Sequence, residues 1–445
     1  MSPSTSSQTS TRIQQLAVAS RNSPILYGLG MTGLMIITQA FNGYYMFYYV
    51  DHLGLVVTLA SIINVIYAIW DAVNDPLVGY LSDNTRSRWG RRRPWLLAGL
   101  PFLLAFIILY FSVPNAFRQG MALFWYALIM LFLYETASTI MITNYTALFP
   151  ELFQKFSIRA RASAFTQGFG MGGELLGFSL APILYNQFGF IGMALVISAL
   201  TGILLIIPIA KVREDPRSQE LSKFDMKEAL RDVVRDKPFW HFTVVATLVL
   251  MTTGIMTLAI PFWAKYTLHA SPKAPALIFF VGFGFAILTV APWSKMVRKW
   301  GTKRMWVWAI SIMILAAIEN GFANTLLSGL IGALLTGVAL GGVKVCREML
   351  LALFVDRNLN RTGHRREGIY YSLTRFFARL SRIIESLSLV LLGVIFGYFS
   401  GESPGPHPEN AFRFLMSVMP LIFLIPAWIM ARRLPLGMEH EEAGA

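Results

Sequence analysis

The stretch Trp70-Asp71-Ala72-Val73-Asn74-Asp75-Pro76 lies inside a long apolar run of the chain. Asp71, Asn74 and Asp75 are spaced i, i+3 and i+4, so a helix carries all three on one face. Carboxylates inside a bilayer are costly and are expected to face the protein interior, where they meet a partner. Three oxygen-bearing side chains on one face suit a hard monovalent cation or a proton. The stretch therefore predicts the coupling-ion site of a secondary transporter.

The composition is that of a protein with many membrane spans. Of the 445 residues, 55% are hydrophobic and only 14% are charged, whereas soluble domains carry about 25% charged residues. The net charge of +14 does not indicate nucleic-acid binding, because the basic residues lie mostly between apolar runs and no groove-reading motif accompanies them. We expect a lipid bilayer and a small-molecule substrate as partners, no nucleic acid, and a monomer.

The single cysteine, Cys346, lies in an apolar run. No disulfide or cysteine metal site is therefore possible within the chain, and no cofactor is expected beyond a coupling ion, Na⁺ or H⁺. Residues 1–24 begin with a polar segment that lacks the apolar stretch of a signal peptide. We predict that they form a cytoplasmic tail and that the first span acts as the targeting signal.

A membrane-spanning helix needs about 20 mostly apolar residues. By that measure the chain contains twelve candidate spans, which predicts an all-α integral membrane protein. The spans fall near residues 25–50, 55–82, 95–113, 118–148, 163–186, 189–211, 239–266, 273–296, 303–324, 326–354, 368–398 and 409–432.

The basic residues between spans predict the orientation. Four loops that would lie on the same side carry Lys and Arg, and this side is expected to be cytoplasmic. They hold Arg86, Arg88, Arg91, Arg92 and Arg93; Lys155, Arg159 and Arg161; Lys295, Arg298, Lys299, Lys303 and Arg304; and Arg357, Arg361, Arg365 and Arg366. With an even number of spans, both termini are then cytoplasmic, and the inner (plasma) membrane is the expected location.

The charged loop 212–237 divides the chain into a bundle at 25–211 and a bundle at 238–433, followed by a cytoplasmic tail at 434–445. The halves also resemble each other. Arg88-Trp89-Gly90-Arg91 follows the second span, and Lys299-Trp300-Gly301-Thr302 follows the eighth. Two pseudo-symmetric six-helix bundles with a site between them predict the major facilitator fold. The eighth span has no counterpart of the acidic cluster, so we expect cation binding in the N-terminal half only.

The run WDAVNDPLVGYLSDNTRSRWGRRRPW, residues 70–95, resembles the signature of the glycoside–pentoside–hexuronide:cation symporters. This family includes the melibiose permeases, and sodium-dependent lysophospholipid symporters are its distant relatives. Three other segments resemble the same family: Tyr27–Gly30, Asn144–Leu152 and Arg361–Gly368. The resemblance implies twelve spans and cation-coupled symport.

The resemblance also implies a set of cation ligands. In melibiose permeases two aspartates and an asparagine of helix two, with a threonine of helix four, hold sodium. These positions correspond to Asp71, Asn74, Asp75 and Thr139, and all four residue types match. A lysine of helix eleven near that site corresponds to Arg379. The oxygen-only set favours Na⁺ over H⁺.

The sugar-binding positions do not match. The helix-one aspartate of the family falls on Met35, the helix-four aspartate on Ile142, a nearby tryptophan on Thr146 and the helix-five arginine on Gln167. A galactoside specificity is therefore not implied. Substrate or coupling contacts are expected instead from a wider set, comprising Arg375, Arg379, Arg382, Gln167, Tyr45 and Thr146.

Two further groups carry predictions. Arg375, Arg379 and Arg382 recur at i, i+4 and i+7 within a span, so they should face the central cavity or pair with acids. An ion-pair network is the predicted cytoplasmic gate, although the same arginines also serve as plain topology signals. Its members are Asp83, Arg88, Arg91 and Arg92.

The sequence therefore predicts a cation-coupled symporter that works by alternating access and takes a sugar or glycoside by family default. The alternative substrate is an anionic or amphipathic solute, such as a hexuronide or a lysophospholipid. The alternative of another class is a membrane sensor that does not transport. No nucleophile–base pair, metal-ligand cluster or cofactor loop indicates an enzyme.

Overall fold

The computed structural model describes residues 23–87, 89–153, 156–211, 236–362, 367–399 and 405–434. Nearly all of the two predicted tails and of the predicted central loop lies outside this part of the chain, as does Arg88. The side chains of Asp83, Arg375, Arg379 and Arg382 are also outside the description.

The described residues are helical almost throughout. We number the helices α1 to α12 in chain order. The first six are α1 Pro24–Phe47, α2 Val57–Asp83, α3 Arg93–Tyr110, α4 Gly120–Leu152, and α5 and α6, residues 156–188 and 190–211, which together form Phe156–Lys211 with a break at Gly189. The second six are α7 Lys237–Tyr266, α8 Ala274–Trp300, α9 Thr302–Phe322, α10 Leu326–Thr362, α11 Glu367–Phe396, and α12, which consists of Pro408–Met416 and Val418–Arg432.

Ten helices in the described ranges are long and apolar enough to cross a membrane. One of them, Phe165–Lys211, is 47 residues long and contains the break at Gly189, so it provides two spans. Helix α11 has 30 residues and also has the length of a span, but its charged residues keep it out of that set. These twelve segments confirm the predicted all-α fold.

Local sequence explains where several helices begin. Proline lies in the first turn of α1, α3, α7, α8 and α12, where its missing N–H costs no helical hydrogen bond. The Asp236 carboxylate caps α7 by accepting a hydrogen bond from the Phe239 N–H at 3.5 Å, and it also accepts one from the Tyr370 hydroxyl of α11 at 3.1 Å. One buried acid thus starts the second bundle and joins two of its helices.

The sequence repeat is visible in the backbone. Gly90, between α2 and α3, has φ of 105°, and Gly301, between α8 and α9, has φ of 84°. Both values lie in the left-handed region that favours glycine. Matching turns at matching positions support the predicted pseudo-symmetry. We call the end of the molecule that carries these two turns the basic end, and the opposite one the far end.

The two bundles meet along α5 with α8 and along α2 with α11. At the far end they are also joined by aromatic and ionic contacts. The ring of Phe178 stacks on those of Phe279 and Phe283, with centroid distances of 4.7 and 4.9 Å. Asp51, which follows α1, accepts hydrogen bonds from Lys265 Nζ at 2.7 Å and from the Tyr266 hydroxyl of α7. The far end of the molecule is therefore closed.

Within the N-terminal bundle, α1 and α5 pack closely because α5 has glycine at the contact. A Cβ built on Gly173 would lie 2.6 Å from the Thr32 carbonyl oxygen and 2.8 Å from Met35 Cβ. A Cβ on Gly172, the preceding residue, would meet no atom within 4 Å. The helix contact therefore requires glycine at position 173 but not at position 172.

We expect Gly173→Ala to destabilise the protein and Gly172→Ala to leave it unchanged or slightly more stable. The added methyl at 173 forces α1 and α5 apart at a cost of about 1–3 kcal/mol, whereas alanine at 172 only raises helix propensity. Thermal unfolding of the purified variants in detergent measures the difference. Equal melting temperatures would contradict the described contact.

Candidate functional site

A cavity of about 320 Å³ lies between the two bundles. Helices α1, α2, α5, α7, α8, α10 and α11 line it, whereas no described residue of α4 does. The polar and aromatic groups on its wall are Gln39, Asn42, Tyr45, Tyr67, Glu174, Phe178, Thr253, Thr257, Phe283, Lys344, Ser381 and Glu385. The cavity therefore has both acidic and basic groups within reach of a solute.

The predicted cation cluster continues from this cavity along α2. Tyr67, Asp71 and Asn74 are spaced i, i+4 and i+7, so the two polar side chains follow Tyr67 on the same helix face. The exposed fraction is 3% for Asp71 and 1% for Asn74, and Asp75 is half-buried. The Asn74 amide nitrogen is buried and has no hydrogen-bond partner. A buried carboxylate and a buried amide therefore lie together on one helix face, which is the arrangement that the sequence predicted for the cation ligands.

Thr139 of α4 is also buried, with 3% exposed. The indole Nε1 of Trp70 on α2 donates to the Thr136 hydroxyl of α4 at 3.1 Å, which fixes the register of the two helices. Consecutive spans alternate in direction, so α2 and α4 run the same way. Asn74 then lies about 6 Å beyond Trp70 and Thr139 about 4.5 Å beyond Thr136, within one helical turn of each other.

The predicted substrate residues divide into three groups. Tyr45 lines the cavity, and its hydroxyl donates to Asn64 Oδ1 at 2.9 Å. Thr146 and Gln167 do not line the cavity, and the Thr146 hydroxyl donates to the Ile142 carbonyl of its own helix at 2.8 Å. The three arginine side chains of α11 lie outside the described atoms, although their helix lines the cavity through Ala378, Ser381 and Glu385.

The predicted gate residues are only partly described. Arg91 and Arg92 are buried. Arg92 donates to the Ser82 hydroxyl at 2.9 Å and to Asn144 Oδ1 at 3.4 Å, so it joins the ends of α2 and α4 within the N-terminal bundle. The side chain of Asp83 and the whole of Arg88 are outside the description. The predicted ion pairs between these residues thus stay a prediction.

One ion pair crosses between the bundles inside the cavity. Lys344 of α10 donates through Nζ to Glu174 Oε2 of α5, and both side chains are partly exposed to the cavity. The sequence showed each charge in an apolar run but could not identify the pair, because 170 residues separate the two. Opposite charges inside a membrane stabilise each other, and this pair joins the two bundles.

A second acid of the cavity is held by close packing. Glu385 of α11 accepts a hydrogen bond from the Ser381 hydroxyl at 3.0 Å. Its carboxylate also lies against Gly254 of α7, where an added Cβ would be 2.0 Å from Glu385 Oε1. The absence of a side chain at Gly254 therefore makes room for this carboxylate.

Twelve spans, a closed far end and a polar cavity between two bundles define a membrane transporter. A solute can reach such a cavity from one side while contacts close the other side, and the two bundles can move against each other.

The family model described as MFS/sugar transport protein matches residues 26–438. The chain belongs to this family, and it is an integral multi-pass membrane transporter rather than an enzyme.

Individual relatives agree with this. The chain is similar to an isoprimeverose transporter of Lactiplantibacillus pentosus, with 23% identity over 85% of this chain and 81% of the relative. It is also similar to sodium-dependent lysophosphatidylcholine symporter 1 of Mus musculus, with 22% identity over 96% of this chain and 87% of the relative. The crystal structure of the nucleoside transporter NupG (D323A mutant) aligns with a TM-score of 0.67 at 12% identity, covering 93% of this chain and 99% of that one. At that identity the structural match supports the fold alone.

We expect Glu174→Gln and Lys344→Gln each to lower the melting temperature more than the double variant does. Each single change leaves one charge in the cavity without its partner, whereas the double change removes both charges. Thermal unfolding of the three variants gives a double-mutant cycle, and the coupling should fall within about 0.5–3 kcal/mol.

Arg347→Gln is the matched control for this cycle. Arg347 binds Glu348, the adjacent residue of the same helix, at 2.9 Å, so losing it removes none of the described polar contacts between the bundles. Additive effects of Glu174→Gln and Lys344→Gln would show that the pair contributes no coupling.

Proposed function

We propose that the protein is a secondary active symporter that couples solute movement to a cation, with Na⁺ more strongly supported than H⁺. The observation that carries this proposal is the buried cluster of Asp71 and Asn74 on α2. It lies next to the face that Tyr67 presents to the central cavity. Asp75 and Thr139 complete the proposed ligand set.

The chemistry of the cluster supports a hard monovalent cation. Carboxylate, amide and hydroxyl oxygens are the ligands that such ions prefer. Two carboxylates close together repel each other, so a bound cation stabilises both in their charged form. The resemblance of the chain to a sodium-dependent symporter supports Na⁺ in particular.

The arrangement of the bundles supports alternating access. The far end is closed by Asp51, Lys265 and the ring contacts of Phe178, so transport requires these contacts to break as the bundles rock. The arginine-rich loops at the basic end support a cytoplasmic location for that end. Both termini are then cytoplasmic, and we assign the protein to the plasma (inner) membrane as a monomer.

The coupling proposal is tested with three probes: methyl β-D-glucoside, methyl β-D-glucuronide and lysophosphatidylcholine. We expect at least one of them to raise the melting temperature of the purified protein more in NaCl than in choline chloride. In Asp75→Ala the ligand response should lose its sodium dependence, because a ligand of the proposed ion is gone.

Glu409→Gln serves as the control, since it removes an exposed carboxylate outside the cluster and should keep the sodium dependence. Uptake of the responding probe into proteoliposomes under a sodium gradient then distinguishes a transporter from a sensor that only binds. If neither sodium nor pH gradients drive uptake of a probe that binds, the coupling proposal is wrong.

A sugar or glycoside is the substrate class that the family supports first, and the isoprimeverose transporter is one relative of that kind. An anionic or amphipathic solute is the second candidate. Lys344 on the cavity wall favours it, because an ammonium group there can bind a carboxylate or phosphate. The apolar Met35 and Ile142, in place of the family's aspartates, favour it as well.

The two candidates are separated by a pair of ligands that differ only at C6, which is a hydroxymethyl group in the glucoside and a carboxylate in the glucuronide. If the substrate is anionic, Lys344→Gln should weaken the binding of methyl β-D-glucuronide by about tenfold or more, because a hydrogen bond to a charged group contributes about 1.5–3 kcal/mol. The binding of methyl β-D-glucoside should change little. Binding isotherms from thermal shift measure both, and equal losses for the two ligands would exclude a specific role of Lys344 in binding the anion.

A further inference from the structure

A second group of buried polar atoms lies in the C-terminal bundle, away from the cluster on α2. Near the far end of α9, Glu319 Oε2 and both amide atoms of Asn320 are buried without a hydrogen-bond partner. The exposed fraction of Asn320 is 1%. Buried polar atoms are nearly always hydrogen-bonded, so several orphaned atoms together require an explanation such as a bound ion or water.

The oxygens of these two residues converge on one glycine. A Cβ built on Gly332 of α10 would lie 2.0 Å from Asn320 Oδ1 and 2.2 Å from Glu319 Oε2. Both oxygens are therefore close to the same point. Because their separation cannot exceed the sum of these two distances, they lie within about 4.2 Å of each other. Two oxygens at such a separation can share one ion.

A third oxygen lies one helical turn further along α10. Thr336 follows Gly332 at i+4, on the same face, and its hydroxyl is also buried without a partner. Thr336 and Asn320 both line a cavity of about 60 Å³ inside the C-terminal bundle. This volume is enough for an ion and a small number of water molecules.

The neighbouring helix is interrupted at this level. Helix α12 breaks at Ser417, where φ is −128° and ψ is −75°. A Cβ on Gly321, the residue after Asn320, would lie 2.5 Å from the Ser417 hydroxyl oxygen, so the break is adjacent to the polar group. Broken helices in transporter bundles are a recurrent source of ion ligands, because their backbone carbonyls are released from the helix.

A basic side chain of α12, Arg413, reaches the neighbouring end of α9 but binds other groups there. Arg413 donates to the Gly321 carbonyl at 3.1 Å and to Asn324 Oδ1 at 2.6 Å. Among the described residues no ion pair joins Arg413 to Glu319. The guanidinium of Arg413 therefore does not neutralise the Glu319 carboxylate. Glu319 is half-buried, but its Oε2 atom is buried. A carboxylate inside a membrane bundle is stabilised by a cation, and an ion from solution can supply that charge.

We propose that Glu319, Asn320 and Thr336 form a monovalent cation site of the sodium type in the C-terminal bundle. One carboxylate, one amide oxygen and one hydroxyl match the ligands of a hard, singly charged ion. The site lies beside the central cavity, since Thr253, Thr257, Phe283 and Leu340 line both cavities. An ion bound there joins α9 to α10 near the closed far end. Cation binding is then not restricted to the N-terminal half.

The stoichiometry of ²²Na⁺ binding to the purified protein tests this inference. We expect about two ions per chain in the unmodified protein, one in Asp75→Ala, one in Glu319→Gln, and none in the double variant. Gly332→Ala should also remove one ion, because its methyl displaces both oxygens. Gly284→Ala on α8 is the matched control, since a Cβ there meets no atom within 4 Å, and it should keep both ions.

The outcomes separate this inference from the proposed function. One ion in the unmodified protein that is lost in Asp75→Ala overturns the second site and supports the first. One ion that is lost only in Glu319→Gln supports the second site and overturns the first. If Glu319→Gln lowers the melting temperature equally with and without Na⁺ and binds as many ions as the unmodified protein, the group is a structural Glu–Asn contact and the inference is wrong. If the difference in melting temperature between Glu319→Gln and the unmodified protein depends on pH but not on Na⁺, the sodium assignment is also wrong.

Discussion

The structure depends on how it pairs charges that lie inside a membrane. An ionised side chain in the bilayer is stable only with a partner, so each acid within the spans selects its neighbours. Glu174 forms an ion pair with Lys344. Glu385 accepts a hydrogen bond from Ser381 and occupies the space left by Gly254. Asp51 binds Lys265 and Tyr266. Two of these three sets join the N-terminal bundle to the C-terminal one. The same electrostatic constraint that stabilises the fold thus acts at the surface between the moving parts.

A transporter needs such contacts to be reversible. A pair such as Glu174 with Lys344 is only partly buried, so water or a solute group can replace either partner at moderate cost. Fully apolar contacts, such as Phe178 on Phe279, add area to the closed state without fixing a unique partner. The far end combines both kinds, which gives it a defined closed geometry that can still open.

Much of the fold could be predicted from the sequence, because the hydropathy of a span and the basic residues of a loop can each be recognised within one short segment of the chain. All twelve spans and the glycine turns of the repeat were within reach of that reasoning. Pairings were not, since Lys344 and Glu174 are 170 residues apart and nothing local to either indicates the other. Family resemblance also has a limit, because the Thr146 hydroxyl is hydrogen-bonded to its own helix and none of the α4 side chains that the structure describes lines the cavity. The orphaned atoms of Asn320 become visible only when the packing around Gly332 is known.

The break at Gly189 has a mechanical consequence. Helices α5 and α6 are joined through a single residue with φ of 70°, with no loop between them. A tilt of α5 is therefore passed directly to α6, and through its packing with α3 to the rest of that bundle. The two helices are therefore expected to move together rather than independently. A one-residue connection also offers no extended loop that could accept an inserted segment or be cut by a protease. The connection between α7 and α8, from Thr267 to Lys273, is longer.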